Sequence, residues 1–389
     1  MEPLPGIGQD EVRGRIARMQ ALLQGHGLPA LLAVGRSFYD RPGPVAYLSG
    51  HFPPFPNSVF SGTSRGLGHA FMIVPAEGEP TLLVDARGYR RDLLTLPDIR
   101  LSNDLVAAVA DALRERGLAT GAVGLAGEDI LPYSFARDLG AALPQLRLES
   151  AETLLDRLRA IKSPAEQALL RRAAEIAGVG LRAVMEAIVP GATEQDVCAA
   201  GTAAALAAGA DFVRYLRVHS GHWSSGGSRW PQATERVLQE GDPVVVDIIG
   251  AYRGYGFDVN RTTVVGGGAT LSDDDRRFLD AGHAATEAAV AATRAGATID
   301  SVVQAGRQAV REAGFPELLP ASAGHAIGLE TVEVPYLGLG NQETLKAGMC
   351  LCIEPSIFIP GRIGCAIEQE VLVRDGAPEV ITTFPTRLW

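Results

Sequence analysis

Two aspartates, Asp247 in Val245-Val246-Asp247 and Asp258 in Gly256-Phe257-Asp258, stand eleven apart in apolar, strand-like sequence. Further on come His325 in Gly324-His325-Ala326-Ile327-Gly328, Glu354 in Ile353-Glu354-Pro355, and Glu368 after Ile367. A lone aspartate is usually a turn or capping residue, but one buried in apolar sequence is costly unless it is paired or metal-bound. Four carboxylates converging on one point would repel by roughly 4 kcal/mol per close pair at an effective dielectric of 20. Two divalent cations balance that charge without protonating a ligand. His325 adds one nitrogen, and the oxygen-rich set favours Mn, with Fe, Co and Zn as alternatives. The candidate metal ligands are therefore Asp247, Asp258, His325, Glu354 and Glu368. A water held between two such ions has its pKa lowered towards neutrality, which makes it a nucleophile.

The elements that must position these residues can be read from pattern. Pro243 to Ile249 and Phe257 to Val265 are β-branched runs joined by the Gly-rich Gly250-Ala251-Tyr252-Arg253-Gly254-Tyr255-Gly256, as in an antiparallel pair. Asp247 and Asp258 should then lie opposite one another on one face. Met349 to Ile353 and Ile367 to Val373 are further strand-like runs. Cys350, Cys352 and Glu354 alternate and should share a face; a thiolate ligand is conceivable there, with small apolar packing the preferred reading. Upstream, Ser163 caps a helix that has Pro164 at its first position and Glu166 in its first turn, in Ile161-Lys162-Ser163-Pro164. The Ala-rich stretch from Ala199 to Ala210 reads as a closely packed helix.

Before residue 160 the pattern differs. Glu11 to Gln24 has helical spacing, and Leu31–Val34, Ala46–Leu48, Phe71–Val74 and Thr81–Val84 read as strands, with a helix from Leu105 to Arg116. The expected division is a smaller α/β domain over 1–158 and a catalytic domain over 159–389.

Other residues are candidates for handling substrate. His219 and His222, in Val218-His219-Ser220-Gly221-His222-Trp223, are candidate general acids or anchors. Trp223 and Trp230 could form an aromatic wall for a ring or a cationic ammonium group. Tyr252 and Tyr255 are further lining candidates. In Ser61-Gly62-Thr63-Ser64-Arg65-Gly66, Arg65 could reach a substrate carboxylate, while the absence of a following lysine argues against a phosphate loop.

The chain has 389 residues, 47% hydrophobic and 21% charged, enough for two domains with real cores. A net charge of −10 argues against a nucleic-acid partner, because such binding depends on Lys and Arg neutralising phosphates. No apolar run is long enough to cross a bilayer, Met1-Glu2-Pro3-Leu4-Pro5 lacks an export signal, and four cysteines do not make a disulfide scaffold. The expectation is a cytoplasmic protein acting on a small-molecule or short-peptide substrate, with no nucleic-acid or membrane partner.

The paired aspartates, Gly324-His325-x-x-Gly328, Glu354-Pro355 and Glu368, in this order and spacing, resemble the pita-bread superfamily of methionine aminopeptidase, aminopeptidase P, prolidase and creatinase. The first 155 or so residues resemble the extra domain of the aminopeptidase P, prolidase and creatinase branch. The resemblance implies an α+β fold, with a pita-bread catalytic domain preceded by a smaller creatinase-like α/β domain. It also implies that Asp258 and Glu368 bridge two ions, that Glu354 doubles as general base, and that the protein is a homodimer.

Some positions depart from that pattern. Where peptidase members have histidines, this chain has Trp230, Ala321 and Val332, and an arginine expected before the final glutamate is Ala366. Glu333 and Pro335 keep the rest of the tract, which places Glu333 among the substrate-binding candidates. The leading reading is a binuclear metal-dependent hydrolase of the Xaa-Pro dipeptidase and aminopeptidase P type, cleaving a dipeptide or small amide. The missing histidines favour a second reading, a metal-dependent non-peptide enzyme resembling creatinase or a dimethylsulfoniopropionate lyase. Ile249, where the lyase branch is expected to carry an additional aspartate, counts against the lyase. A silent binding module is the third reading, and five intact ligands argue against it.

Overall fold

The computed structural model describes residues 6–55, 65–94, 96–227 and 230–389. The loop residues Ser61 to Ser64 considered above lie outside the described residues. The chain divides between Arg159 and Ala160 into two compact units.

The first unit runs α1 (Gln9–Gly25), β1 (Ala30–Arg36), α2 (Gly43–Ser49), β2 (His69–Pro75), β3 (Thr81–Asp85), β4 (Ile99–Ser102), α3 (Leu105–Glu115), β5 (Gly121–Ala126), α4 (Tyr133–Ala142), β6 (Leu146–Ser150) and α5 (Glu152–Ala160). Its six strands form one mixed sheet in the order β4-β3-β2-β1-β5-β6. Val34, Phe71 and Leu83 bury one face against Val109, Leu113 and Phe135 of α3 and α4. Phe71 stacks on Phe135 with ring centroids 4.3 Å apart. Ala46 to Leu48, expected as a strand, is instead the middle of α2, which begins at a proline and ends at Gly50 in the left-handed region, φ 76°. All seven residues of α2 are buried, so the apolar run records burial and not extended backbone.

The second unit carries the five candidate ligands. It opens with α6 (Pro164–Ala187), whose N-terminus is a capping box: Ser163 Oγ accepts from Glu166 N while Glu166 Oε2 accepts from Ser163 N. Next come α7 (Glu194–Ala207) and a three-stranded antiparallel sheet of β7 (Phe212–Ser220), β8 (Pro243–Tyr252) and β9 (Tyr255–Val264), in the order β7-β8-β9. Strands β8 and β9 are longer than expected. Their turn is only Arg253-Gly254, with φ 50° and 81°, the positive pair that a tight hairpin requires.

The chain continues through α8 (Asp273–Ala292), α9 (Ile299–Glu312), β10 (Ser322–Ala326), β11 (Glu333–Gly338), β12 (Cys350–Ile353), β13 (Ile357–Ile359), β14 (Ile363–Cys365), β15 (Gln369–Leu372) and β16 (Glu379–Val380). Strands β11-β10-β12-β15-β16 form a second sheet. Ala289, Ile299, Val302 and Val303 of α8 and α9 pack on its Ala323, Leu351 and Val371.

The two sheets meet along a seam between β9 and residues 366–370. Glu368 N donates to Asn260 O, Asn260 N to Glu368 Oε2, and Asp258 N to Glu370 Oε1. Buried Arg261 donates to the carbonyls of Glu368, Phe384 and Pro385. An arginine fully surrounded by carbonyl acceptors fixes the backbone on which the acidic residues are mounted.

Candidate metal centre and substrate cavity

Alternation along β7, β8 and β9 sends Arg217, Asp247 and Asn260 to one face, because they are direct cross-strand partners. Asp258 pairs with Ile249, so the two aspartates lie diagonally, two residues out of register, and not opposite each other. They still share a face, and Asp247, Asp258 and Glu368 offer oxygens all within 4.8 Å of one another.

The second sheet supplies the other side. His325 on β10 pairs with Cys352 on β12. Gly324 makes this possible: its φ is 125°, and a Cβ there would lie 1.9 Å from Cys352 O. No other residue type allows that approach. The His325 Nδ1 hydrogen donates to Ala326 O at 3.0 Å, which leaves Nε2 with its lone pair directed at Glu354 Oε1, 3.5 Å away, and Asp258 Oδ2, 3.8 Å away. This is the tautomer a metal-binding histidine needs. Glu368 belongs to both proximate groups, the one with Asp247 and Asp258 and the one with His325 and Cys352.

These residues fit a pair of divalent ions. Asp247 Oδ1 and Glu368 Oε1 are buried without a hydrogen-bond partner among the described residues, a costly condition for carboxylate oxygens unless a cation meets them. Burial, then neighbouring carboxylates, raise the pKa of Asp258 and Glu368 well above the usual range. Burial and Asp247 push Glu354 up to about 7. The thiol of Cys352 is also driven far up by burial and by Glu368.

Four residues that sequence reading passed over support this centre. Arg217 Nη2 lies 2.9 Å from Asp247 Oδ2 and donates to Asn260 Oδ1 at 3.2 Å. Tyr215 OH is 3.4 Å from Asp247 Oδ2. Asn260 Nδ2 donates to Glu368 Oε2 at 2.7 Å and to Glu354 Oε2 at 3.2 Å. Glu370 accepts from Asp258 N, and burial raises its pKa to about 8. A signal existed for the β7 pair: Tyr215, Arg217 and His219 alternate with Leu216 and Val218, a strand with one polar and one apolar face.

A cavity of about 570 Å³ opens over the acidic cluster, walled by Arg214, Tyr215, Arg217, Ser322, Thr331 and Phe358 among others. Ala321, Val332 and Ala366, three of the positions departing from the peptidase pattern, also line it.

Several substrate-handling expectations are corrected. Tyr255 is 1% exposed and donates to Glu166 Oε1, and Tyr252 is buried beside Arg253; both have the opposite strand parity from Asp247 and Asp258 and lie outside the cavity wall. Glu333 is held by Lys162 Nζ at 2.8 Å in a buried ion pair and accepts from Glu330 N, so it closes its own loop. Arg65 is paired with Asp104 and Asp138 of its own unit. His219 is buried and shares 3.3 Å with Pro231 O, and burial lowers its pKa; it tethers the loop as a neutral ring. His222 is exposed and lies beside Trp223, with centroids 4.9 Å apart. Trp223 and Trp230 are 48% and 87% exposed. None of these four is part of the cavity wall.

Comparison with known proteins agrees with this architecture. The model of metallopeptidase family M24 matches residues 168–375, and that of the creatinase/prolidase N-terminal domain matches 15–161. The chain is 39% identical over 261 residues to a probable dipeptidase PepE of Mycobacterium tuberculosis, spanning 66% of this chain and 68% of that one. It is 29% identical to a Xaa-Pro dipeptidase of Pyrococcus furiosus over 83% and 89% of the two chains. Among solved structures, dipeptidase PepE from Mycobacterium ulcerans superposes with a TM-score of 0.81 at 30% identity, covering 98% and 99% of the chains. A prolidase from Thermococcus sibiricus gives 0.83 at 25% identity over 98% and 99%. With both of its domains matched and its acidic cluster formed between two sheets, the chain belongs to metallopeptidase family M24 and is a metal-dependent peptide hydrolase.

Proposed function

We propose that the protein is a dipeptidase of the Xaa-Pro type, with Asp247, Asp258, His325, Glu354 and Glu368 holding two divalent ions, Mn first among the candidates. The observation that carries this reading is the convergence of Asp247, Asp258 and Glu368 within 4.8 Å beneath a cavity that His325 and Glu354 also line. When bound, the ions supply a water of lowered pKa and polarise the scissile carbonyl.

The chain's own residues do the rest. Glu354, which lines the cavity, accepts the proton of the attacking water and returns it to the leaving amine. Asn260 fixes Glu354 and Glu368 relative to each other, and Arg217 holds Asp247. The relatives' names favour the dipeptidase reading over a creatinase-like or lyase activity.

No described helix is long and apolar enough to cross a membrane, and a cytoplasmic location is part of the proposal. So is a homodimer, in which Trp230 and the exposed Val334 and Tyr336 of β11 would be covered by the second subunit.

The test is metal analysis followed by assay with Mn, Co, Fe and Zn on Xaa-Pro dipeptides, creatine and dimethylsulfoniopropionate. Two ions per chain and hydrolysis of the dipeptides alone are expected. Bound metal with untouched dipeptides would overturn the Xaa-Pro reading. Sedimentation at micromolar concentration tests the dimer, which a monomer would exclude.

A further inference from the structure

Strands β7, β8 and β9 set out their cavity-facing residues in rows. Arg217, Asp247 and Asn260 make one row, and Tyr215, Ile249 and Asp258 the next. A one-residue bulge fixes that second row: Val213 pairs with Gly250 and Tyr215 with Ile249, so the ladder slips at Arg214. Bulges commonly re-aim side chains beside active sites. Tyr215 thereby joins Arg217, Asp247, Ile249 and Asp258 in the cavity wall, and its hydroxyl reaches the acidic cluster diagonally, 3.4 Å from Asp247 Oδ2.

That contact is long for a hydroxyl, whose O–H···O bonds centre at about 2.7–2.8 Å, and Asp247 does not depend on it. Asp247 Oδ2 already meets Arg217 Nη2 at 2.9 Å, and Oδ1 has no hydrogen-bond partner among the described residues. A phenol is neutral at pH 7, and its hydrogen rotates to suit its surroundings. Rotation about the C–O bond takes it from Asp247 into the cavity. The part of the wall at Ala321, Val332 and Ala366 brings no side-chain donor. Glu354, at the end of β12, lines the same cavity with its Oε1 3.5 Å from His325 Nε2. A peptide group over the acidic cluster can therefore meet a proton acceptor from the second sheet and a hydroxyl donor from the first.

We propose that Tyr215 is a catalytic residue that donates a hydrogen bond to the scissile carbonyl oxygen as that oxygen gains negative charge. This deepens the dipeptidase reading and rests on the same cavity. Water adds to the carbonyl carbon and the C=O electron pair moves onto oxygen; the pair returns as the C–N bond breaks and the amine takes its proton from Glu354. The Tyr215 proton stays on its own oxygen throughout. Charge on the carbonyl oxygen strengthens the contact, so it favours the transition state over the bound substrate. Arg217 is a positioning residue, acting through Asp247.

The experiment compares Tyr215→Phe with the parent protein, both full-length and metal-loaded, on Ala-Pro, Ala-Leu and Ala-Phe. The variant should lose about 100-fold in kcat, the scale of one donor to a developing oxyanion, while KM stays within about threefold. Calorimetry with phosphinic isosteres of the same dipeptides, whose tetrahedral phosphorus carries the charged oxygens, should show a loss of about 100-fold in affinity. Reduced isosteres, with CH2 in place of the carbonyl, should bind parent and variant equally. Metal content and metal affinity should not change, in contrast to Arg217→Met. An unchanged kcat in Tyr215→Phe, a phosphinic isostere bound equally by both proteins or not at all by the parent, or an equal loss for both kinds of isostere would each overturn the proposal. A metal affinity that falls as in Arg217→Met would also overturn it and make Tyr215 a positioning residue. Cleavage of Ala-Leu or Ala-Phe but not Ala-Pro, with the Tyr215→Phe loss intact, sinks the Xaa-Pro assignment and leaves Tyr215 standing. Cleavage of Ala-Pro at an unchanged kcat in Tyr215→Phe sinks Tyr215 and leaves the dipeptidase. A parent protein that cleaves none of these dipeptides sinks both.

Discussion

Removing the metal should make the stability of the catalytic unit depend on pH in the direction opposite to that of ordinary salt-bridged carboxylates. Glu354 is raised from 4.5 to about 7 by burial and by Asp247. Between those values the folded protein keeps a proton that the unfolded chain releases, so stability falls as pH rises through that window and the loss is complete above pH 7. At 1.4 kcal/mol per pH unit the loss is about 3 kcal/mol from Glu354 alone. Asp258 and Glu368, raised in the same direction, add to it. Divalent ions remove the effect by replacing the protons. Glu370, raised to about 8, contributes to metal-free and loaded protein alike, so the informative quantity is the difference between them. All three tryptophans, Trp223, Trp230 and Trp389, lie in the catalytic unit, so fluorescence melting follows that unit alone. Metal-free protein should melt roughly 6–12 °C lower at pH 8 than at pH 5 relative to loaded protein, from about 2–4 °C per kcal/mol at this size. Glu354→Gln should recover about 3 kcal/mol in the metal-free state at pH 8 and none at pH 4. A metal-free protein as stable at pH 8 as at pH 5, or an unchanged slope in Glu354→Gln, would refute the account of buried, mutually repelling carboxylates.

Other outcomes follow from the contacts. Arg217→Met should lower metal affinity about 10–100-fold by releasing Asp247, read by competition with a chelating dye; unchanged affinity would show that Asp247 orients itself. Lys162→Met should destabilise the catalytic unit by about 3–5 kcal/mol because it strands buried Glu333, while KM for an identified substrate stays unchanged. Tyr255→Phe should cost about 1 kcal/mol through loss of the bond to Glu166, and a raised KM would restore Tyr255 as a lining residue. His222→Ala should leave kcat/KM within twofold, because the ring lies outside the cavity wall.

The candidate metal ligands stand out in the sequence because each breaks a local rule. Asp247 and Asp258 are carboxylates inside β-branched runs, and such residues survive burial only with a partner. The errors came from reading nearness in sequence as nearness in space. Tyr252 and Tyr255 flank the turn between the two aspartates, yet their odd offsets from Asp247 and Asp258 already sent them to the other face. Once the two-residue turn at Arg253-Gly254 is known, the diagonal register of the aspartates follows by counting. The place of Arg214 in the cavity wall was not legible in this way. A bulge reverses parity at one residue without any mark in composition, and only the pairing of β7 with β8 reveals it. The helix at Ala46 to Leu48 was hidden for a related reason, since a short apolar run has no periodicity of its own.

The seam between β9 and Glu368 also bears on how the chain is held closed. Asn260 and Glu368, bonded to each other, are 108 residues apart, and the intervening chain contains all of α8, α9 and most of the second sheet. Under the proposed ligand set, ions held jointly by Asp247 and Asp258 on one side and Glu354 and Glu368 on the other would tie off that loop much as a covalent bond would. Closing about a hundred residues in the unfolded chain is worth on the order of 4–5 kcal/mol in the chain-entropy treatment of cross-links. A chelator would then act on this enzyme as a reductant acts on a disulfide-bonded one, unfastening a long loop as well as silencing its chemistry.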